Sequence, residues 1–299
     1  FDEVAAVVER LAALAAAGAT QQAAWEYLAE TAADVPVRVL AAQVARLSSS
    51  GMPVAPAFLL VSGPAAEAWR GVGAVLGLVA AVGAPASGAL RRAAANLRSA
   101  AELHRTVRTS VAGPAASART TMLLPPGTAL LGWAFGFDVP GAVFGNALGA
   151  VAALLAGGLL VGAALWSRRL IRTASRVPWQ LGLGVELVAL AVRAGLPTVL
   201  ARRRADEAAA GVGLAVQADG PAVDAVVGFA DRTGVPLAPL LDAEAERIRR
   251  SVLADASAGA AVLAVRLLLP LGALVLPAFL LLGALPVGIA VLSSTALPL

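Results

Sequence analysis

The sequence predicts an all-α membrane protein in which two cytoplasmic helical bundles are each followed by transmembrane helices. Composition is the first ground. Of the 299 residues 59% are hydrophobic and 14% charged, and mean hydropathy is +0.80, whereas a soluble domain has roughly 45–50% apolar and about 25% charged residues. The second is the placement of charge, which leaves two long tracts holding a single charged residue each. The third is periodicity. Apolar residues in the polar segments recur at helical spacing, and no alternating run rich in β-branched or aromatic residues occurs.

Residues 1–119 read as the first bundle. Val4, Val7, Val8, Leu11 and Leu14 form one stripe, with Glu9 and Arg10 off it. Gly18 closes that helix. Gly51-Met52-Pro53 and Gly83-Ala84-Pro85 each mark a helix junction, because Gly ends one helix readily and Pro is tolerated in the first turn of the next. After Gly83, Leu90, Ala93, Leu97, Ala100 and Val107 share a face, with Arg91, Arg92, Arg98 and Arg105 on the other.

Residues 120–166 read as a transmembrane hairpin. Asp138 is the only charged residue between Thr120 and Trp166, and that tract exceeds the roughly 20 residues of one span. Phe137-Asp138-Val139-Pro140-Gly141 is turn-like and contains a helix-breaking Pro. An Asp at mid-bilayer costs roughly 2.5–3.5 kcal/mol and little in a loop, so spans of about 120–137 and 142–166 are expected. Residues 167–258 form the second bundle, with a helix from Glu186 to Gly195 and a third Gly-x-Pro at Gly234-Val235-Pro236. Residues 259–299 supply one good span, about 264–285, and a tail from Pro286 whose crossing stays open. Pro125, Pro126, Pro270 and Pro277 are expected to bend the spans that hold them, which neighbouring helices tolerate.

Orientation follows from arginine. Arg168, Arg169, Arg172 and Arg176 follow the second span, and Arg105, Arg108 and Arg119 precede the first, while the Asp138 loop has no basic residue. The positive-inside rule therefore puts both polar regions in the cytoplasm. Phe1 is not Met, so a processed or trimmed start is expected, and whether spans precede it stays open. Asp2 and Glu3 have the wrong charge for the start of a signal peptide.

Several chemistries are excluded. With no Cys and one His, His104, disulfides and the usual zinc sites cannot be built. All 23 basic residues are Arg, and a P-loop requires its Lys, so the chain is not itself a P-loop motor. No Gly-x-Ser-x-Gly elbow occurs. Ser48-Ser49-Ser50 reads as a polar helix end, and the pairs Glu244/Glu246 and Asp206/Glu207 sit among Arg as solvated faces. No catalytic, cofactor or metal residue is assigned. Acids and bases interleave at a net charge of +4, so nucleic-acid binding is not implied.

The chain also resembles itself. Gly83 to Leu90 is similar to Gly234 to Leu241, each opening a charged helix. Met122-Leu123-Leu124-Pro125-Pro126-Gly127 parallels Leu267-Leu268-Leu269-Pro270-Leu271-Gly272, and Glu9 to Gly18 parallels Glu186 to Gly195. This order of Glu-helix-Gly, Gly-x-Pro-helix and Leu-Leu-Pro-x-Gly span resembles the type II secretion F domain of platform proteins in type II secretion systems and type IV pili. Within that family it is most similar to TadB and TadC of tight-adherence pili. Val265 to Pro270, Leu276-Pro277-Ala278-Phe279 and Gly283 to Pro286 resemble the end of TadC-type proteins, and the first half resembles TadB. Trp133-Ala134-Phe135-Gly136 departs from the Leu-Pro-Ala-Phe pattern.

The resemblance implies a non-enzymatic inner-membrane platform that couples a cytoplasmic hexameric ATPase to pilin or pseudopilin subunits, acting within an oligomer or platform complex in the bilayer. Arg202, Arg203, Arg204, Arg247, Arg249 and Arg250 are the candidate motor contacts. The simpler reading of these residues is a solvated face with side chains snorkelling near headgroups. The rival function is a small-solute transporter or channel subunit, which should place ionisable residues or broken helices at the midplane. Asp138 and Arg266 are the only charges in the apolar tracts, and both fall near span ends.

Overall fold

A computed structural model describes residues 2–136, 140–141, 145, 147–174, 182–216 and 220–284. Among these the chain is α-helical and has no strand. The helices are α1 (Asp2–Ala16), α2 (Gln21–Thr31), α3 (Val35–Ser49), α4 (Ala55–Leu59), α5 (Ala66–Val82), α6 (Ala86–Ala134), α7 (Ala147–Ala174), α8 (Leu183–Arg193), α9 (Thr198–Ala210), α10 (Gly220–Thr233) and α11 (Leu237–Arg266). Contacts divide the chain into a first unit, Phe1–Leu103 with Pro178–Ala254, and a second, His104–Val177 with Asp255–Leu299.

In the first unit the two polar segments, each read from sequence as its own bundle, share one apolar core. Val8, Leu11, Trp25, Leu28, Val44, Phe58 and Leu78 belong to the same buried cluster as Val185, Leu187 and Leu241. The reason lies in α8. Leu183, Val185, Leu187, Val188 and Leu190 are all buried, and a helix that is apolar on every side needs cover all round. It is covered by α5, α9 and α10, and α5 also packs on α9, α4 and α1. The centre holds three aromatic rings, with Trp25 edge-on to Phe58 at 6.1 Å and Phe58 tilted against Trp69 at 6.4 Å.

The sequence-predicted junctions fall at helix ends. Gly51, Gly83 and Gly234, each opening a Gly-x-Pro element, have φ of +67°, +67° and +69°. Pro85 and Pro236 immediately precede α6 and α11, and Pro53 precedes α4. Gly18 and Gly195 have φ of +88° and +92° and close α1 and α8 with the same pair of hydrogen bonds. Gly18 N–H donates to Ala15 C=O and Ala19 N–H to Leu14 C=O. In the second half Gly195 N–H donates to Val192 C=O and Leu196 N–H to Ala191 C=O. The matching is incomplete. Among the described residues, the elements between these landmarks are α2 to α5 in the first half and α9 and α10 in the second.

In the second unit, α7 packs along the stretch 268–284. Ala152, Ala156, Ala163 and Ser167 are buried on α7, as are Leu267, Pro270, Val275 and Ala278 opposite. Small side chains on one helix allow close approach, the packing used by helices in lipid. Among the described residues, two helices are long and apolar enough to cross a membrane, Gly149–Ile171 and a stretch within Leu237–Leu282. Thr120–Ala134 is not one of them. It is the end of the 49-residue α6, which runs unbroken through Pro125, Pro126 and the bundle boundary expected at residue 119. Beyond Pro270 the winding widens into π-helical turns at Leu271–Val275 and Leu280–Ala284, as expected where a Pro removes an intrahelical hydrogen bond. The loop expected at Phe137, Asp138 and Val139 lies outside the described residues, as do Pro286 and the tail to Leu299.

Candidate functional site

The most organised polar site in the first unit joins α6 to α8 and α11. Glu186, on the otherwise apolar α8, accepts from Asn96 Nδ2 of α6 at 2.5 Å and from Arg249 Nη1 of α11 at 3.3 Å. Asp242 of α11 pairs with Arg193 of α8 and with Arg92 of α6, the latter at 3.5 Å. Only 12% of the Glu186 side chain is exposed. Burial pushes its carboxyl above the usual range, against the pull of Arg249, Arg92 and Arg193 and with a push from Asp242. Residues from both halves of the sequence therefore meet in one network.

A second ion pair repeats this geometry. Arg98 of α6 donates to Glu9 of α1. Glu9 lies nine residues before Gly18, and Glu186 nine before Gly195. Arg98 lies fifteen residues after Gly83, and Arg249 fifteen after Gly234. The same pair thus recurs at equivalent positions of the internal repeat. Sequence reading noted Glu9, Glu186 and the arginine-rich helices separately. The equal offsets from the glycines were the signal that would have paired them, whereas nothing local marks Asn96 or Arg92.

The six candidate arginines divide into two kinds. Arg202 reaches from α9 to Asp224 at 2.6 Å and to Gly220 C=O at 3.0 Å, and Arg249 reaches Glu186, so both tie helices together. Arg203, Arg204, Arg247 and Arg250 are exposed and pair on their own helices. Glu207 takes Arg203 and Arg204 at 3.0 and 2.9 Å, Glu244 takes Arg247 at 2.6 Å, and Glu246 takes Arg250 at 3.6 Å. The Arg203 hydrogen bond holds the Glu207 carboxyl below its usual range, and Arg247 does the same for Glu244. Of the bends and turns, Gly18, Gly51, Gly83, Gly195 and Gly234 stand at helix ends, Pro53, Pro85 and Pro236 just before helices, and Pro125 and Pro270 inside helical stretches.

The depressions on the first unit include one of about 660 Å³, lined by Thr20, Gln22, Ser48, Met52 and Gly77 among others, and one of about 310 Å³, lined by Arg202, Asp206, Asp224 and Val188. Neither aligns a nucleophile with a base. Among the described residues no group of three His, Asp or Glu is placed to hold a metal ion. His104, partly buried, has its pKa lowered by that burial.

No family model, curated protein or solved structure matches the chain.

Proposed function

We propose that this protein is an inner-membrane platform subunit that couples a cytoplasmic secretion ATPase to the extraction and assembly of pilin or pseudopilin subunits, with both polar segments cytoplasmic and two or more spans in the bilayer. One observation carries the reading: the ion pair Glu9–Arg98 recurs as Glu186–Arg249 at matching positions of a repeated helical unit. That repeat is the one whose glycines, prolines and Leu-Leu-Pro spans resemble the F domain of secretion platforms.

The chemistry of the polar surface fits a mechanical role. Its partly buried charged side chains link helices to one another, and the exposed Arg203, Arg204, Arg247 and Arg250 remain available to an acidic partner that can displace Glu207, Glu244 or Glu246. Displacing exposed pairs is inexpensive, since each is worth about 0–1 kcal/mol. The wide π-helical turns after Pro270 would let the last span yield when the bundle is pulled.

The test is affinity purification of the tagged protein from its own membranes, followed by mass spectrometry of what accompanies it. Co-purification of a secretion-type ATPase with small pilin-like proteins is the expected result. Charge reversal at Arg203, Arg204, Arg247 and Arg250 should abolish ATPase recovery while the protein stays folded. Recovery of an ABC-type nucleotide-binding subunit or a solute-binding protein would replace the platform with a transporter.

A further inference from the structure

The exposed arginines of α9 and α11 pair on their own helices, Arg203 and Arg204 with Glu207, Arg247 with Glu244 and Arg250 with Glu246. The hairpin of α2 and α3 does the opposite. Glu26 and Glu30 on α2 and Arg38 and Arg46 on α3 are exposed, and among the described residues none of the four makes an ion pair. Glu26 accepts from Gln22 Nε2 of its own helix at 2.8 Å. Yet Glu26, Glu30 and Arg46 line one groove of about 240 Å³ between the two helices, together with Ala29, Ala42 and Ala45. Charges of both signs therefore stand unpaired around a groove whose other walls are methyl groups.

The outer face of α3 continues that groove. Val35, Val39, Ala42, Arg46 and Ser49 follow one another at steps of four and three residues. Val35 and Val39 are 56% and 61% exposed, Arg46 and Ser49 are exposed, and Ala42 is half-buried. Steps of four and three keep a stripe in line along a helix that pairs with a parallel neighbour. The core of its own unit is served by the opposite face of α3, where Val37, Leu40, Ala41 and Val44 are buried. Valine also lowers helix propensity slightly, because its branched side chain is stiff, so propensity gives no reason for two of them on this outer stripe.

We propose that this face joins two copies of the chain about a two-fold axis running along α3, each α3 nesting in the α2–α3 groove of the other. An axis along the helices keeps every residue at its own level, and a two-fold contact uses the same patch on both copies. Val39 then meets Val39 of the second copy. Arg46, which lines its own groove with Glu26 and Glu30, comes beside Glu26 and Glu30 of the second copy, and the exchange is reciprocal. The face is thus self-complementary in charge, two acids on α2 against two arginines on α3, and its alanines leave room for the incoming helix. It is two helices wide and, at 15 residues of α3, about 22 Å long, which places the contact in the small, weakly associating class. The inference uses only the first unit and does not depend on the platform reading.

The experiment uses the full chain in its own membranes. The sequence has no Cys, so V39C places a single thiol beside the proposed axis. Treatment with a short bismaleimide should give a product of twice the chain mass. V199C, at a residue of α9 that is 83% exposed and outside the face, should give none. Adding R46E to V39C should lower the yield about tenfold, because two symmetry-related pairs are lost and like charges are brought together. The charge exchange R46E/E26R/E30R in the V39C chain should restore it, which a merely destabilised helix could not do. Absence of the doubled product from V39C would overturn the proposal, as would a yield that R46E leaves unchanged. A V39C product containing a different protein in place of a second copy would overturn it too, and would assign the face to that protein. Recovery of the secretion ATPase from the same membranes should be equal for V39C with and without R46E, so failure of the dimer is distinguishable from failure of the platform reading.

Discussion

At the residue scale, equivalent positions of a repeat have taken on different energetic weight. Arg98 is 63% exposed where it meets Glu9, whereas Arg249 is 21% exposed where it meets Glu186. An exposed pair is worth at most about 1 kcal/mol, while breaking a buried one leaves an uncompensated charge and costs about 3–5 kcal/mol. R249M should therefore destabilise the protein by about 2–3 kcal/mol, discounted for the solvent that still reaches the pair, and R98M by less than about 1 kcal/mol. Chemical denaturation of both variants, followed by helical circular dichroism, checks this, and equal losses would refute the difference in weight. Glu186 adds a pH dependence. Its carboxyl is raised in the folded state, so its contribution to stability is fully present below the ordinary carboxylate range and is lost as pH rises through the raised value. The melting temperature of the wild type relative to E186Q should accordingly be highest at acid pH and fall on the way to neutrality. A flat difference would mean that the carboxyl is not shifted.

At the element scale, α4 and α5 pack closely. A Cβ placed on Gly73 of α5 would lie 2.7 Å from Phe58 Cγ, and Phe58 is fully buried between Trp25 and Trp69. Overpacking a filled core costs typically 1–3 kcal/mol, so G73A should lower stability by about that much despite the better helix propensity of Ala. G88A, on α6 where nothing lies within 4 Å, should be neutral or stabilising by up to about 1 kcal/mol. Thermal denaturation of the two variants makes the comparison. Elements were also the most legible level of the sequence. The stripe of Val4, Val7, Val8 and Leu11 is buried as its spacing required, and Gly18, Gly83, Gly195 and Gly234 end helices. Residue 119, the expected passage from the first bundle to the hairpin, lies inside α6, because Arg119 changes the polarity of the helix without interrupting its backbone hydrogen bonds. The polar contacts between halves were illegible for a different reason. Asn96 and Glu186 are ninety residues apart, and periodicity within a helix says which face is buried but not what covers it.

At the scale of the whole molecule, the shared core makes the two halves of the sequence one folding problem within the first unit. Among the described residues the second half has fewer helices of its own, and α8 is buried against α5 of the first half as well as against α9 and α10. Its Leu183, Leu187 and Leu190 are all buried, whereas their repeat counterparts on α1 are Ala6, Arg10 and Ala13, all exposed. The exposed face of α1 needs no cover, whereas the apolar face of α8 does. A perturbation in the first half should therefore be felt in the second. G73A, which acts at the α4–α5 contact, is expected to reduce hydrogen-exchange protection of the α8 amides by about the 1–3 kcal/mol it costs globally. Amides of α7, in the other unit, should change less. If α8 kept wild-type protection while α2 and α5 lost theirs, the halves would be opening independently, and the common core would not be a cooperative one.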